Sequence, residues 1–143
     1  MDIRYFLDSS VFIQSFDGTD PEKQDRAQAL IGAALVDHIG IISYQVVDEV
    51  LMWVRTHFEP PLHKLDAQDY LDEVLLPLTE IFFEPEICKQ ALAISEEHGL
   101  AHQDAALVAA ALRGGCRLLY GTRFTHGMVI GSLILQNPFA KKG

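Results

Sequence analysis

The chain has 143 residues, 49% of them hydrophobic, and a formal net charge of −9. That is the size of one domain with one core, and no apolar run is long enough to span a bilayer. The acid excess argues against non-specific nucleic-acid binding, but all 20 acids lie between Asp2 and Asp104, while Arg113, Arg117, Arg123, Lys141 and Lys142 leave the C-terminal part basic enough for a polyanion to approach.

In chain order, "IRYFL" (3–7) is a short apolar run and predicts a buried strand. "DSSVFIQSF" follows, with Asp8, Ser9 or Ser10 able to cap a short helix. Asp20 before Pro21 predicts an N-cap with proline in the first turn of a helix running to about Asp37. "IGIIS" (39–43) predicts a second strand, and Ser43 is placed to cap the amphipathic helix "YQVVDEVLMWVRTHF", which stops before Pro60-Pro61. "HKLDAQDYLDEVLLPL" predicts a further helix and "TEIFF" a third strand. "EPEICKQALAISEEHG" and "HQDAALVAAALRGG" predict helices stopped by Gly99 and by Gly114-Gly115. "CRLLY" (116–120) predicts a strand, "YGTRFTHGM" a loop, and "SLILQNPF" a last strand. Strands alternating with helices predict an α/β fold, a mostly parallel sheet covered on both faces, over residues 1–143 as a single domain.

"MDIRYFLD" lacks the basic-then-apolar order of a signal peptide, and Cys88 and Cys116 form no close-spaced motif. A reduced cytoplasmic protein without structural zinc is expected. Cys88, Cys116, Met52 and Trp53 are expected to pack. His98 and His102 are separated by Gly99 at a helix boundary, which argues against a shared metal face.

Three carboxylates stand at element ends. Asp8 follows the first strand, where a parallel sheet places it in the ligand crevice. Glu49 flanks the apolar stripe of its helix, three residues beyond Val46 and four before Trp53, while Asp48 is rotated toward solvent. Asp104 heads the stripe Val108, Ala111, Leu112 in the first turn of its helix, where the macrodipole favours an anion. Taken singly, each is an ordinary cap or boundary acid. Together, right-handed crossovers bring them to one sheet edge. Carboxylates about 4 Å apart repel by roughly 4 kcal/mol per pair at an effective dielectric of 20, so such a cluster takes up protons or binds a cation. An oxygen-only ligand set suits Mg²⁺ or Mn²⁺, which there would activate a water and neutralise a phosphoryl oxygen.

"YFLDSSVFI", "ISYQVVDEVL", "HGLAHQDAALVAAALRGGCRLLYG" and "LILQNPF" resemble the PIN-domain ribonucleases, most closely the VapC-type toxins of toxin–antitoxin pairs. The third stretch is the most specific. The resemblance implies a PIN-like (Rossmann-like) three-layer α/β/α sandwich and Mg²⁺-dependent cleavage of RNA phosphodiesters in a homodimer silenced by a cognate antitoxin. It carries Asp8, Glu49 and Asp104 onto the first three metal-site acids, as ligands and catalytic groups, and Ser10 onto a small polar residue supporting the first aspartate. The loop after "CRLLY" departs from the family. One or two acids commonly stand near 122–123, sometimes with another at 126; here the residues are Thr122, Arg123 and His126. Ala101 stands where a serine cap is usual. Three acids suffice for one Mg²⁺, but a second metal is harder to hold.

Thr122 can orient a water or phosphate oxygen. Arg123 has three open roles: contact to the scissile phosphate, pairing within the acid cluster in the metal's place, or solvent exposure. His126 is a candidate general acid or an incidental loop residue. The favoured function is thus a VapC-type endoribonuclease that leaves 3′-hydroxyl and 5′-phosphate ends. The alternative is a degraded PIN protein that binds RNA or protein. A Rossmann-like nucleotide binder is more distant, since no Gly-rich phosphate loop follows the first strand.

Overall fold

A computed structural model describes residues 3–57 and 64–140. The first apolar run forms β1 (Tyr5–Leu7), buried at every position as a central parallel strand requires. Asp8 then caps α1 (Ser9–Ser15) by accepting from the Ser10 amide. Asp20 caps α2 (Pro21–Asp37) through the Lys23 amide, with Pro21 opening the helix, and β2 (Gly40–Ser43) and α3 (Tyr44–His57) follow. The expected last residue of that third helix, Phe58, lies outside the described residues, as do Pro60 and Pro61. Ser43 does not act as the expected cap: its hydroxyl is buried without a hydrogen-bond partner.

The next predicted helix is interrupted. α4 (Lys64–Tyr70) widens into a π-helical turn over Leu71–Leu75 before α5 (Leu76–Leu78), and the Leu76 amide reaches back to the Leu71 carbonyl. Pro77 has no amide to offer and its ring crowds the preceding turn, so the wide turn falls directly ahead of it. β3 (Thr79–Ile81) ends two residues sooner than "TEIFF" suggests, leaving Phe82 and Phe83 exposed. α6 (Pro85–His98) stops at Gly99, whose φ of 69° is left-handed, and α7 (His102–Arg113) starts at Ala101 without a side-chain cap, as expected of alanine. β4 (Leu118–Tyr120) and β6 (Leu133–Gln136) match the last two predicted strands, with trimmed ends. β5 (Val129–Ile130), an antiparallel hairpin partner of β6, lies where no strand was expected.

The fold is α/β. Its sheet runs β3-β2-β1-β4-β6-β5, and every pairing except β5–β6 is parallel. Helices cover both faces. On one, the Tyr5 hydroxyl donates to the Leu30 carbonyl of α2 at 2.9 Å. On the other, Ile41 packs under Gly114 at the end of α7. Adjacent strand residues point to opposite faces, and Ile41 pairs in register with Phe6, the neighbour of Tyr5. Because β1, β2 and β4 run in one direction, Asp8, the start of α3 and the loop after β4 share the carboxyl edge. Among the described residues no helix is long and apolar enough to cross a membrane.

Candidate active site

Asp8 is the buried centre of that edge, with 0% of its surface exposed. Its amide donates to the Tyr120 carbonyl at 3.0 Å, which ties the end of β1 to the end of β4. One carboxylate oxygen, Oδ1, accepts from the Ser10 amide at 2.8 Å and from the Ser10 hydroxyl in a short hydrogen bond. The other, Oδ2, is buried with no hydrogen-bond partner. Burial pushes the Asp8 carboxyl up to about 6; the Ser10 hydrogen bond and the Arg123 charge oppose the shift, and Glu49 adds to it.

Glu49 and Asp104 flank it. Glu49 Oε1 accepts from the Ser9 hydroxyl at 2.8 Å, and Oε2 faces the Gln45 amide nitrogen at 3.3 Å. That nitrogen also donates to the Gln103 carbonyl at 3.0 Å, so Gln45 links α3 to the first turn of α7, where Asp104 sits. Asp48, one position from Glu49, is exposed. The structure therefore brings Asp8, Glu49, Asp104 and Ser10 together at one place.

Arg123 joins them. Its Nε lies 3.5 Å from Asp8 Oδ2, one terminal nitrogen 3.1 Å from Asp104 Oδ1, and the other 3.3 Å from Glu49 Oε1. The last also donates to the Ser9 hydroxyl at 3.2 Å. Of the three open roles for Arg123, this conformation adopts the one within the acid cluster. Burial works against its charge, but Glu49, Asp8 and Asp104 outweigh that and hold the guanidinium protonated. Thr122 is exposed; its amide donates to the Ser10 hydroxyl at 3.0 Å. His126 Nδ1 accepts the Asn137 amide at 3.0 Å and fastens the loop to the end of β6.

Three residues escaped the sequence reading as site residues. Ser9, considered only as a cap, bridges Glu49 and Arg123. Gln45 connects α3 with α7, and Gly121 lies against Asp8 so closely that no side chain fits. A signal for the first was present in the paired serines of "DSS": the Ser10 hydroxyl donates to Asp8, and that of Ser9 to Glu49. Met52 was expected to pack and is instead exposed, on the wall of a groove of about 430 Å³ that also includes Tyr44, Glu49, Phe82 and Phe83. Trp53 does pack, its ring stacked against those of Phe16 and His57. Cys116 is buried, whereas Cys88 is only partly so.

The donor set suits a hard divalent cation: oxygen ligands only, three carboxylates, and one buried oxygen without a hydrogen bond. In this conformation a guanidinium holds the point on which they converge. Among the described residues no group of three carboxylate, imidazole or thiol side chains is arranged to hold a metal ion. The chemistry fits, and in this conformation Arg123 holds the space between the three acids.

Ser10→Ala should cost roughly 1–3 kcal/mol in urea unfolding, because it removes a hydrogen bond to a buried carboxylate. It should also raise the Asp8 pKa further above about 6, as followed by carboxyl NMR, since the Ser10 hydrogen bonds favour the ionised form. An unchanged titration would show that Ser10 does not support Asp8.

Comparison with known proteins places the fold. The model of the PIN domain family matches residues 5–125. Among solved structures the chain is similar to FitAcB from Neisseria gonorrhoeae, at 21% identity and a TM-score of 0.64, covering 94% of this chain and 98% of that one. It is similar to a protein of a toxin–antitoxin complex from Klebsiella pneumoniae, at 17% identity and a TM-score of 0.68, with the same coverages of 94% and 98%. It is also similar to VapC20 of Mycobacterium tuberculosis, a toxin that cleaves the sarcin-ricin loop, at 14% identity and a TM-score of 0.60, over 80% of this chain and 86% of that one. At these identities the likeness is one of fold. No curated protein matches the chain.

Proposed function

The chain belongs to the PIN-domain family, and from that premise we propose that it is a Mg²⁺-dependent endoribonuclease of the VapC toxin type. The observation that carries this reading is the convergence of Asp8, Glu49 and Asp104 on one cation at the carboxyl edge of the sheet. Asp8, Glu49 and Asp104 would hold the metal. A bound divalent ion supplies charge neutralisation at the phosphoryl oxygens and a lowered pKa for water.

The chain's own groups set the geometry. Ser10 fixes the rotamer of Asp8, and Ser9 and Gln45 orient Glu49. Glu49, whose side chain is 23% exposed, accepts the proton of the attacking water. Thr122, on the rim, and Arg123, once withdrawn from the acids, bind phosphate oxygens of the RNA, the arginine through its planar fork. Attack in line leaves 3′-hydroxyl and 5′-phosphate ends. In this reading the protein works in the cytoplasm as a homodimer, and a cognate antitoxin silences it.

RNA cleavage with and without Mg²⁺, for the native protein and Asp8→Asn, tests the reading. Metal-dependent cleavage lost by at least a hundredfold in Asp8→Asn is expected. Absence of metal-dependent cleavage, or equal activity in the variant, refutes it. The Arg123 ion pairs favour a second reading: a PIN module that has given up catalysis and keeps only RNA or protein binding. Retained RNA binding without cleavage at any Mg²⁺ concentration would select it.

A further inference from the structure

We propose that Arg123 is a built-in competitor for the divalent cation, so that the loop after β4 sets how readily the acid cluster takes up metal. The inference rests on the reading above only in assuming that the cluster can accept a divalent ion, not that it cleaves RNA.

Each nitrogen of the guanidinium faces a different acid: Nε faces Asp8, and the two terminal nitrogens face Asp104 and Glu49, at 3.1 to 3.5 Å. One planar group therefore spans all three carboxylates that a metal would need. A metal needs closer oxygens, at about 2.1 Å for Mg²⁺, and so the same space. The two cations exclude one another.

The pairing is also incomplete. Asp8 Oδ2, on a side chain with 0% exposure, has the Nε contact at 3.5 Å but no hydrogen bond. Three formal negative charges face one positive charge. The cluster is thus held by a cation that leaves its most buried oxygen undersatisfied, and a divalent ion satisfies both the charge and that oxygen.

The backbone around Arg123 stays in place during the exchange. Gly121 donates to the Gln136 carbonyl at 3.0 Å and Thr122 to the Ser10 hydroxyl at 3.0 Å, while Phe124 on the other side is buried. Withdrawal is a rotation of the arginine side chain about its own bonds, not an opening of the loop. The side chain is 29% exposed, which leaves it a path outward.

Calorimetric Mn²⁺ titration of the full chain tests this, using the native protein, Arg123→Gln, and Arg123→Gln combined with Asp8→Asn. Arg123→Gln should bind Mn²⁺ at least tenfold more tightly than the native protein, and Asp8→Asn should abolish the gain. Affinities within twofold of each other, or a gain that survives Asp8→Asn, overturn the proposal. Should Arg123→Gln fold poorly, NMR of the native protein decides: the Arg123 Nε–H signal must shift and lose its protection from exchange on saturation with Mg²⁺, and an unchanged signal overturns the proposal. An RNA-cleavage assay on the same samples separates the two ideas. A tenfold gain without cleavage leaves the competition standing and removes the nuclease; cleavage with equal affinities does the reverse.

Discussion

Gly121→Ala should destabilise the protein by about 3 kcal/mol, at the upper end of what overpacking a buried site usually costs. A Cβ at this position would stand 2.0 Å from Asp8 Oδ2 and 2.4 Å from its Cγ. Asp8 cannot yield cheaply, because its carboxylate is held by the Ser10 amide and hydroxyl and its own amide by Tyr120. The glycine is needed for space rather than for an unusual backbone angle, since its φ is not among the positive values. That distinction gives the test. In an Asp8→Ala background the obstructing carboxylate is gone, and the same Gly121→Ala change should cost under about 1 kcal/mol, a coupling of roughly 2 kcal/mol between the two positions. Urea unfolding of the four proteins measures it. Additive losses would mean that Gly121 serves something other than the close approach to Asp8.

The three acids were legible because each stands at a boundary that short-range chemistry announces. Asp8 ends an apolar run, Glu49 lies at the margin of a helical stripe, and Asp104 opens a helix. Parallel strand order then brings such positions to one edge whatever the intervening loops contain. What stayed hidden depends on contacts between distant segments. The direction of Arg123 is decided by Asp104 and Glu49, 19 and 74 positions away, so composition and local pattern leave its three outcomes open. The exclusion of any side chain at Gly121 arises only where β4 meets the end of β1. The π turn before Pro77 and the two-residue strand β5 fall below the length at which periodicity speaks. Met52 shows the limit from the other side: an apolar residue on an amphipathic helix was assigned to the core, yet it opens onto a groove.

Asp8→Asn should make the metal-free protein more stable at neutral pH while it removes metal-dependent activity. The Asp8 pKa rises from an ordinary 3.8 to about 6 on folding, with burial as the main cause. Below pH 4 the carboxyl is protonated in both the folded and the unfolded chain, and the residue contributes no pH dependence. Between about pH 4 and 6 the folded chain holds the proton that the unfolded chain has released, so native stability falls as pH rises; above 6 both are ionised and the loss is constant. The shift corresponds to roughly 2–3 kcal/mol. Asparagine does not titrate, so the variant lacks this decline. In EDTA, the stability of Asp8→Asn relative to the native protein should therefore rise by roughly that amount between pH 4 and pH 7.5 in urea unfolding. Parallel stability curves would show that Asp8 is not held ionised against burial. A divalent ion should narrow the gap at pH 7.5 by stabilising only the native protein, in proportion to the logarithm of its concentration once above its Kd. Keeping an ionised carboxylate at this depth weakens the fold by more than its hydrogen bonds to Ser10 and its pairing with Arg123 recover, which is the pattern expected where a chain trades stability for a functional group.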